Sequence, residues 1–198
     1  AVEIAGVKAG DHCIDVCAAP GGKSLYLAEK AGETGSVDAR DLTDYKAEMI
    51  RDNAERLGVT NVTVSVKDAC VYDEASKEKA DVLLADLPCS GLGVIAKKPD
   101  IRYKDLDGIE NLLAAQQKIL QNGADSLAEN GRLVYSTCTV NDKENQAQVE
   151  KFLSANPDFH VVLPKTALPG ADITPLGTLF LPHRTGTDGF FAAILERN

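Results

Sequence analysis

The sequence predicts a doubly wound α/β fold, with a mostly parallel seven-stranded sheet and an antiparallel C-terminal edge strand. Three observations support this prediction: short apolar runs that lack polar alternation, helical patterns between those runs, and a final pair of runs with no helix between them. Strands without polar alternation are buried on both faces, as in a parallel sheet covered by helices. Ligands of such folds bind outside the carboxyl ends of the strands, where the strand order reverses.

The parallel part of the predicted sheet consists of five runs rich in Leu or β-branched residues: residues 13–17, 36–39, 62–66, 81–85 and 132–135. Helical patterns alternate with these runs at residues 24–31, 44–57, 112–127 and 142–153. Gly58 follows the second pattern, Gly131 lies just after the third and Pro157 follows the fourth, as expected where helices end. Strands that alternate with helices predict a parallel sheet with helices packed on it.

Two further runs, residues 159–163 and 189–195, complete the seven strands. The segment between them is rich in Pro and Gly and has no helical pattern, so we expect an antiparallel pair at the edge of the sheet. Residues 163–187 form the least regular stretch of the chain.

Length and cysteine usage predict one intracellular domain. A chain of 198 residues and 21.1 kDa buries roughly 70% of its unfolded surface, enough for a single domain over residues 1–198. Five cysteines without a close Cys-x-x-Cys pair argue against a disulfide framework, and the three histidines lack ligand spacing to them, so no metal site is predicted. No apolar stretch approaches the roughly 18 residues of a membrane span. We expect a reduced, cytoplasmic protein, with a monomer as the default state.

The N-terminal residues predict that the chain is part of a longer protein. Ala1 is not an initiator Met, and residues 1–10 resemble neither a signal peptide nor a natural start.

The formal net charge of −9 disfavours binding to phosphate backbones by the body of the protein. Basic residues are nevertheless clustered in two places, with Lys97, Lys98, Arg102 and Lys104 in one and His183 and Arg184 in the other. These residues form either a basic rim on an acidic body or ordinary solvated loops, and the charges alone do not decide between the two.

A turn rich in small residues follows the first strand, within the motif DVCAAPGGKS at residues 15–24. Its two glycines allow backbone amides to approach a ligand closely at a helix N-terminus. A P-loop is disfavoured because Cys17 stands where the first glycine would be, and a dinucleotide fingerprint because Ala18 and Pro20 interrupt it. A nucleoside-type cofactor without a pyrophosphate fits better.

Acidic residues stand at the ends of the second and third strands. A methyl donor of the S-adenosylmethionine kind needs a carboxylate that accepts hydrogen bonds from its ribose hydroxyls. Asp41 is the candidate for this role, with Asp38 as a weaker alternative, and Asp68 is placed to contact the adenine amino group. Since one acidic residue at a strand end is more often a helix cap, the prediction depends on their joint placement.

Two cysteines follow the fourth and fifth strands: Cys89 in DLPC at residues 86–89 and Cys138 in STCT at residues 136–139. They indicate covalent pyrimidine methylation, because a thiolate that adds to carbon 6 of cytosine makes carbon 5 able to attack an electrophilic methyl group. A free thiol has a pKa of about 8.5, so the site must lower that pKa or remove the proton during attack. The second cysteine can assist release of the first. Cys13 and Cys70 are predicted to be packing residues.

Asp86 lies at the end of the fourth strand, where its carboxyl group can hydrogen-bond ring nitrogen 3 and the exocyclic amine of cytosine. Lys23 can reach across the strand ends to orient or neutralise Asp86, and Pro88 restricts the backbone between acid and thiol. Enzymes that methylate exocyclic amines often have Pro and an aromatic residue after this acid. Leu87 and Cys89 favour carbon as the acceptor instead.

These motifs resemble the Sun/RsmB-type RNA cytosine-5 methyltransferases over essentially the whole chain. The closing motif TDGFF at residues 187–191 is most similar to the bacterial small-subunit ribosomal RNA branch. The resemblance implies a Rossmann-like, class I S-adenosylmethionine-dependent fold and an RNA substrate, 16S rRNA in particular. Family members also carry an N-terminal RNA-binding portion, often NusB-like, so the chain is expected to be a catalytic domain without that portion.

The resemblance also implies the roles of individual residues. Enzymes that act on DNA use the cysteine of a Pro-Cys motif, whereas the Sun type uses the later Thr-Cys motif, so Cys138 is the implied nucleophile and Cys89 the residue that aids release. The residues implied in binding S-adenosylmethionine are Cys17, Ala18, Ala19, Pro20, Gly21, Gly22, Lys23, Asp41, Asp68 and Asp86.

Two alternatives stay open at this point. One is a non-catalytic module of the same fold that binds RNA or a ribosome-assembly partner. The other is a cytosine methyltransferase that acts on DNA.

Overall fold

The computed structural model describes residues 1–164 and 169–198. Its strands, in chain order, are β1 (His12–Asp15), β2 (Ser36–Asp41), β3 (Val62–Val66), β4 (Ala80–Asp86), β5 (Leu127–Thr137), β6 (Phe159–Val162), β7 (Asp172–Thr174), β8 (Gly177–Phe180) and β9 (Phe190–Arg197). Its α-helices are α1 (Val2–Ala5), α2 (Gly22–Ala31), α3 (Asp44–Leu57), α4 (Ile109–Ser126), α5 (Gln146–Ala155) and α6 (Pro182–Thr185). Short 3-10 turns cover Glu74–Ser76, Pro99–Tyr103 and Asp142–Glu144.

The strands of the described residues form one sheet in the order β3-β2-β1-β4-β5-β9-β8-β7, with β6 also paired to β9. Strands β1 to β5 are parallel to one another. The strand order reverses between β1 and β4, so the predicted doubly wound, mostly parallel sheet is confirmed. The cleft that such a reversal creates lies above the ends of these two strands.

Helices cover both faces of the sheet, which explains the continuous apolar strands. Successive residues of β4 point to opposite sides: Leu83 packs in the core with Leu120 of α4 and Phe152 of α5, whereas Leu84 packs with Leu27 of α2 and Ile50 of α3. Both faces of the strand are therefore desolvated, as the missing polar alternation predicts.

Helix α3 coincides with its prediction at both ends. The Thr43 hydroxyl accepts a hydrogen bond from the Lys46 amide at 3.4 Å, and Gly58 ends the helix with φ 67°. The left-handed conformation of Gly58 carries little penalty because glycine has no Cβ.

Helix α4 and strand β5 have different limits from those predicted. Leu127, predicted as the last helical residue, begins β5 and pairs with Ala80, and Gly131 lies within this strand rather than after a helix. A buried leucine fits either kind of element, so the apolar pattern alone does not locate the boundary. The pattern at residues 142–153 also divides, into the 3-10 turn Asp142–Glu144 and α5.

The C-terminal strand β9 forms the predicted antiparallel pair with β6, and it is also antiparallel to β5. Its other side pairs with β6 and with β8, so β9 is interior and the shorter strands form the edge. The hairpin of β7 and β8 raises the strand number from the predicted seven, and it lies with α6 in the segment predicted to be irregular. These elements are too short to show a periodic pattern. Within that segment, residues 165–168 lie outside the described residues.

Among the described residues, no helix is long and apolar enough to cross a membrane. The same part of the chain contains no group of three or more His, Cys, Asp or Glu side chains arranged to hold a metal ion.

Candidate active site

The turn between β1 and α2 is held at the point where the strand order reverses. The Val16 amide donates to the Leu84 carbonyl of β4 at 3.1 Å, and the Ala18 amide donates to the Arg40 carbonyl of β2 at 2.9 Å. The Ala19–Pro20 peptide bond is cis, and Gly21 has φ 107°. A side chain at Gly21 would be strained by this backbone conformation and would approach Ile50 at 3.3 Å, which explains the first glycine of the motif.

A cleft of about 430 Å³ opens beside this turn. Of the predicted cofactor residues, Cys17, Ala19, Asp41, Asp68 and Asp86 line it. Ala18 instead packs in the core, and the Pro20 carbonyl accepts a hydrogen bond from Asn53 at 2.9 Å. Cys70, predicted to be a packing residue, is half-buried and forms part of the cleft wall.

Asp41 is held rigidly in the cleft wall. One of its carboxyl oxygens accepts hydrogen bonds from the Leu42 amide at 2.7 Å and from Lys46 Nζ at 2.9 Å. The other accepts a hydrogen bond from the Ala19 amide at 2.9 Å. The weaker candidate Asp38 is not part of this wall, because its carboxyl group forms an ion pair with the buried Arg40.

Lys23 and Asp86 form an ion pair of 2.7 Å between the start of α2 and the end of β4. The other carboxyl oxygen of Asp86 accepts a hydrogen bond from the Ser136 hydroxyl at 2.7 Å. Burial alone would lower the pKa of Lys23, but the nearby Asp86 carboxylate outweighs burial and raises it. Asp86 is thus fixed on two sides at the rim of the cleft.

The two predicted thiols meet next to this ion pair. The Sγ atoms of Cys89 and Cys138 are 3.3 Å apart. Their loops are joined through the backbone, since the Gly93 amide donates to the Cys138 carbonyl at 3.0 Å and the Gly189 amide donates to the Gly93 carbonyl at 2.8 Å. The ends of β4 and β5 and the segment just before β9 are therefore held together around the two sulfur atoms.

Comparison with known proteins agrees with this arrangement. Residues 4–196 match the family described as 16S rRNA methyltransferase RsmB/F. The chain belongs to the RsmB/F family. A Bacillus subtilis relative named a probable ribosomal RNA small subunit methyltransferase B is 39% identical over 196 residues, and a Vibrio cholerae ribosomal RNA small subunit methyltransferase B is 35% identical over 191 residues. These matches cover 96% of the chain in both cases, but only 44% and 42% of the relatives, so the chain spans less than half the length of either.

Two solved structures superpose closely on the chain. A protein called PH0851 has a TM-score of 0.93 at 33% identity, with 99% of this chain and 44% of that protein covered. NSun6 from Pyrococcus horikoshii, solved with SFG, has a TM-score of 0.84 at 29% identity, with 99% and 50% covered. The class I methyltransferase fold and its S-adenosylmethionine cofactor are thereby confirmed for this RsmB/F chain.

The electrostatics of this RsmB/F site single out Cys138 among the five cysteines. The hydrogen bond from the Cys89 thiol lowers the pKa of Cys138 to about 7, and the positive charge of Lys23 acts in the same direction. That hydrogen bond raises the pKa of Cys89 itself. Burial raises the pKa of Cys13 to about 12, and it also raises the pKa of Cys17 and of Cys70. Cys138 is thus the thiol whose pKa is lowered, by the hydrogen bond with Cys89 and by Lys23.

Several residues at the site were not assigned a role from sequence. Asp15 is fully buried, and desolvation raises its pKa to about 7, although the Ser24 hydroxyl donates to it at 2.7 Å. Glu144 and Asn145 are also buried, behind the two thiol loops. Asp15 was visible as the first residue of the DVCAAPGGKS motif, whereas Glu144 and Asn145 fell inside a predicted helix and gave no signal of their own.

Replacing Lys23 by Met is expected to raise the pKa of Cys138, because the thiolate loses a nearby positive charge and Asp86 loses its counter-ion. The midpoint of Cys138 alkylation by iodoacetamide, followed at the Cys138 peptide by mass spectrometry, should move from about pH 7 to higher pH by roughly one unit. Lys46→Met is the matched control, since it also removes a lysine–aspartate ion pair but one that is made with Asp41. An unchanged midpoint in Lys23→Met would contradict this electrostatic assignment.

Proposed function

We propose that the chain transfers a methyl group from S-adenosylmethionine to carbon 5 of a cytosine in RNA, with 16S rRNA as the substrate. The observation that carries the proposal is the 3.3 Å pair of thiols beside the Lys23–Asp86 ion pair. Two thiols at one site are what a covalent addition and a separate release step require, and an acid that can orient a pyrimidine stands next to them.

The cleft next to the thiols suits the cofactor. Within residues 1–164 and 169–198, one Asp41 oxygen accepts a hydrogen bond only from the Ala19 amide, which leaves a lone pair on that oxygen for a ribose hydroxyl. Gly22, at the start of α2, is exposed and lines a separate cavity next to α2 and the end of α3 rather than this cleft. In this proposal Asp68 contacts the adenine amino group, and the turn at residues 17–23 holds the rest of the nucleoside. When bound, the cofactor supplies an electrophilic methyl group.

Cys138 acts as the nucleophile in this proposal. Its thiolate forms a bond to carbon 6 of the cytosine, and the electron pair of the carbon 5–carbon 6 double bond moves so that carbon 5 becomes nucleophilic. The lowered pKa of Cys138, due first to the hydrogen bond from Cys89, supplies the thiolate near neutral pH. Because Lys23 acts on the Cys138 sulfur, the same residue that holds Asp86 also favours the attacking form.

Asp86 and Cys89 perform the remaining steps. The Asp86 carboxylate accepts hydrogen bonds from the exocyclic amine and, when ring nitrogen 3 is protonated, from that nitrogen, and Ser136 and Lys23 keep the carboxylate in place. After methylation, a base removes the carbon 5 proton, the double bond reforms and the sulfur–carbon 6 bond breaks. Cys89 aids this release, because its sulfur lies against that of Cys138.

Basic residues near the thiols provide contacts for RNA on an otherwise acidic chain. Lys104 Nζ lies 3.4 Å from the Ser90 carbonyl, directly beside the Cys89 loop. Tyr103 in the same segment is 85% exposed, and an exposed aromatic ring can stack on an unpaired base. The target cytosine must be single-stranded or flipped out of its helix to reach the thiols. The family description, which names 16S rRNA, and the relatives' names, which give the small-subunit ribosomal RNA, support 16S rRNA as the substrate and hence a cytoplasmic location.

Incubation of the protein with radiolabelled S-adenosylmethionine and 16S rRNA is expected to yield 5-methylcytidine after digestion to nucleosides and mass spectrometry. DNA of the same sequence serves as the control and should stay unmodified. Label on an exocyclic nitrogen or on uridine would refute the proposal. Calorimetric binding of S-adenosylmethionine without any turnover would support a non-catalytic module instead.

A further inference from the structure

Glu144 is a completely buried acid behind the two thiol loops. Its Oε1 accepts hydrogen bonds from the Ser90 amide at 2.7 Å and from Gln116 Nε2 at 3.3 Å. Its Oε2 accepts hydrogen bonds from the Ser90 hydroxyl and from Asn141 Nδ2 at 3.0 Å. Within residues 1–164 and 169–198, no lysine, arginine or histidine forms an ion pair with it.

These hydrogen bonds connect the two loops that carry the thiols. Ser90 directly follows Cys89, and Asn141 belongs to the loop that follows Cys138. The Ser90 hydroxyl also lies 2.8 Å from the Thr139 hydroxyl, which adds a direct contact between the loops. Glu144 is therefore a shared acceptor at their junction.

The next residue, Asn145, is 1% exposed and contacts both neighbours of Cys138. The Thr137 hydroxyl donates to Asn145 Oδ1 at 2.6 Å, and Asn145 Nδ2 donates to the Thr139 carbonyl at 3.0 Å. Glu144 and Asn145 together fix the residue after Cys89 and both neighbours of Cys138.

The position of Glu144 is not explained by stability alone. Desolvation of a carboxyl group is expensive, and replacing buried ionic groups by apolar ones of similar volume is often neutral or stabilising. What an apolar side chain cannot do here is accept four hydrogen bonds that fix two loops relative to each other.

We propose that Glu144 and Asn145 are positioning residues that set the distance between the sulfur atoms of Cys89 and Cys138. They contact the backbone and side chains next to the thiols rather than the thiols themselves. The inference rests on the proposed roles of the two cysteines, and it extends them by naming the residues that bring the cysteines together.

The ionisation of Cys138 reports on this distance. Besides burial, four groups act on the pKa of Cys138: the Cys89 thiol, the Asp86 carboxylate, the backbone amide of Cys138 itself and the Lys23 ammonium. If the loops separate, the Cys89 thiol no longer donates to the thiolate, and the pKa of Cys138 rises. A purely structural role for Glu144 would lower the melting temperature without moving this pKa.

The test is the pH dependence of Cys138 alkylation by iodoacetamide, measured by mass spectrometry of the Cys138 peptide in the folded protein. Glu144→Ala is expected to raise the midpoint by roughly one pH unit. Glu144→Gln should restore most of the original profile, because its one oxygen still accepts the Ser90 amide while the Ser90 hydroxyl and the Asn141 amide can reorient. Glu150→Ala, which removes an exposed acid from α5, is the matched control and should leave the midpoint unchanged.

A folded Glu144→Ala variant with the original midpoint would overturn the inference. Should Glu144→Ala fail to fold, Ser90→Ala decides, since it removes the hydroxyl contacts to Glu144 and Thr139 and keeps the amide donor. A raised midpoint in Ser90→Ala supports the inference, and an unchanged one overturns it. Because alkylation requires no methyl transfer, a protein that forms 5-methylcytidine but shows no shift would refute this inference and leave the proposed function standing.

Discussion

Cys138→Ala is expected to lower RNA methylation by at least about 10³-fold, because the pKa of Cys89, the other thiol at the site, is raised and its thiol is a poor replacement nucleophile. Cys138 is the thiol whose pKa is lowered, to about 7, by the hydrogen bond from Cys89. RNA that contains 5-fluorocytosine should form a covalent complex with the original protein, since the fluorine blocks removal of the carbon 5 substituent. The Cys138→Ala variant should form no such complex, as judged by denaturing gel electrophoresis.

Cys89→Ala is expected to show the opposite behaviour. The adduct with ordinary RNA should accumulate, because attack by Cys138 continues while release is slowed. Cys13→Ala, which removes a thiol buried in β1, is the control and should neither trap an adduct nor prevent one. If Cys138→Ala trapped the covalent RNA adduct and Cys89→Ala formed no covalent complex, the roles of the two cysteines would be the reverse of those proposed.

Gly93→Ala is expected to destabilise the protein by about 3 kcal/mol, the upper part of the range for added volume in a packed interior. A Cβ at this position would lie 2.1 Å from the Gly189 carbonyl oxygen and 2.8 Å from the Cys138 carbonyl oxygen. Both are backbone atoms, so the clash can be relieved only if the loops move apart. The melting temperature should fall by roughly 6–12 °C, and methylation should fall with it because Cys138 is displaced.

Gly22→Ala is the matched control for stability, since a Cβ there would have no atom within 4 Å. Its melting temperature should be unchanged or slightly higher, because alanine is the better helix former. Equal melting temperatures for Gly93→Ala and the original protein would show that the contact between the three loops is not as close as the structure has it.

Much of the site follows from sequence because its residues come directly after recognisable strands. The carboxyl ends of adjacent parallel strands lie side by side, so Asp41, Asp86 and Cys138 are expected at one edge once their strands are identified. The same reasoning predicts the contact between Lys23 and Asp86. The position along a strand does not show which face of the sheet a side chain points to. The sequence therefore leaves Asp38 as a candidate for the cofactor site, whereas in the structure Asp38 forms an ion pair with Arg40 and lies outside that site.

The C-terminal strands β7 and β8 and the pairing of β9 with strands on both of its sides could not be predicted from the sequence pattern. The hairpin of β7 and β8 consists of strands of three and four residues, and such short segments carry too little periodicity to be recognised. The pairing of β9 with β5 on one side and with β6 and β8 on the other depends on long-range contacts. Nothing local in the sequence encodes these contacts.

By itself, the sequence determined the class of fold, the order of its main strands and helices, and which residues stand at the strand ends. These features follow from continuous apolar runs and from helix-ending residues, which are local properties of the chain. Only the tertiary structure decided that the two sulfur atoms touch and that Cys138 is the thiol with the lowered pKa. It also revealed Glu144, whose four hydrogen-bond donors come from Ser90, Gln116 and Asn141. Distances and pKa values arise from groups that are far apart in the chain and meet only in the folded state, so no local pattern can contain them.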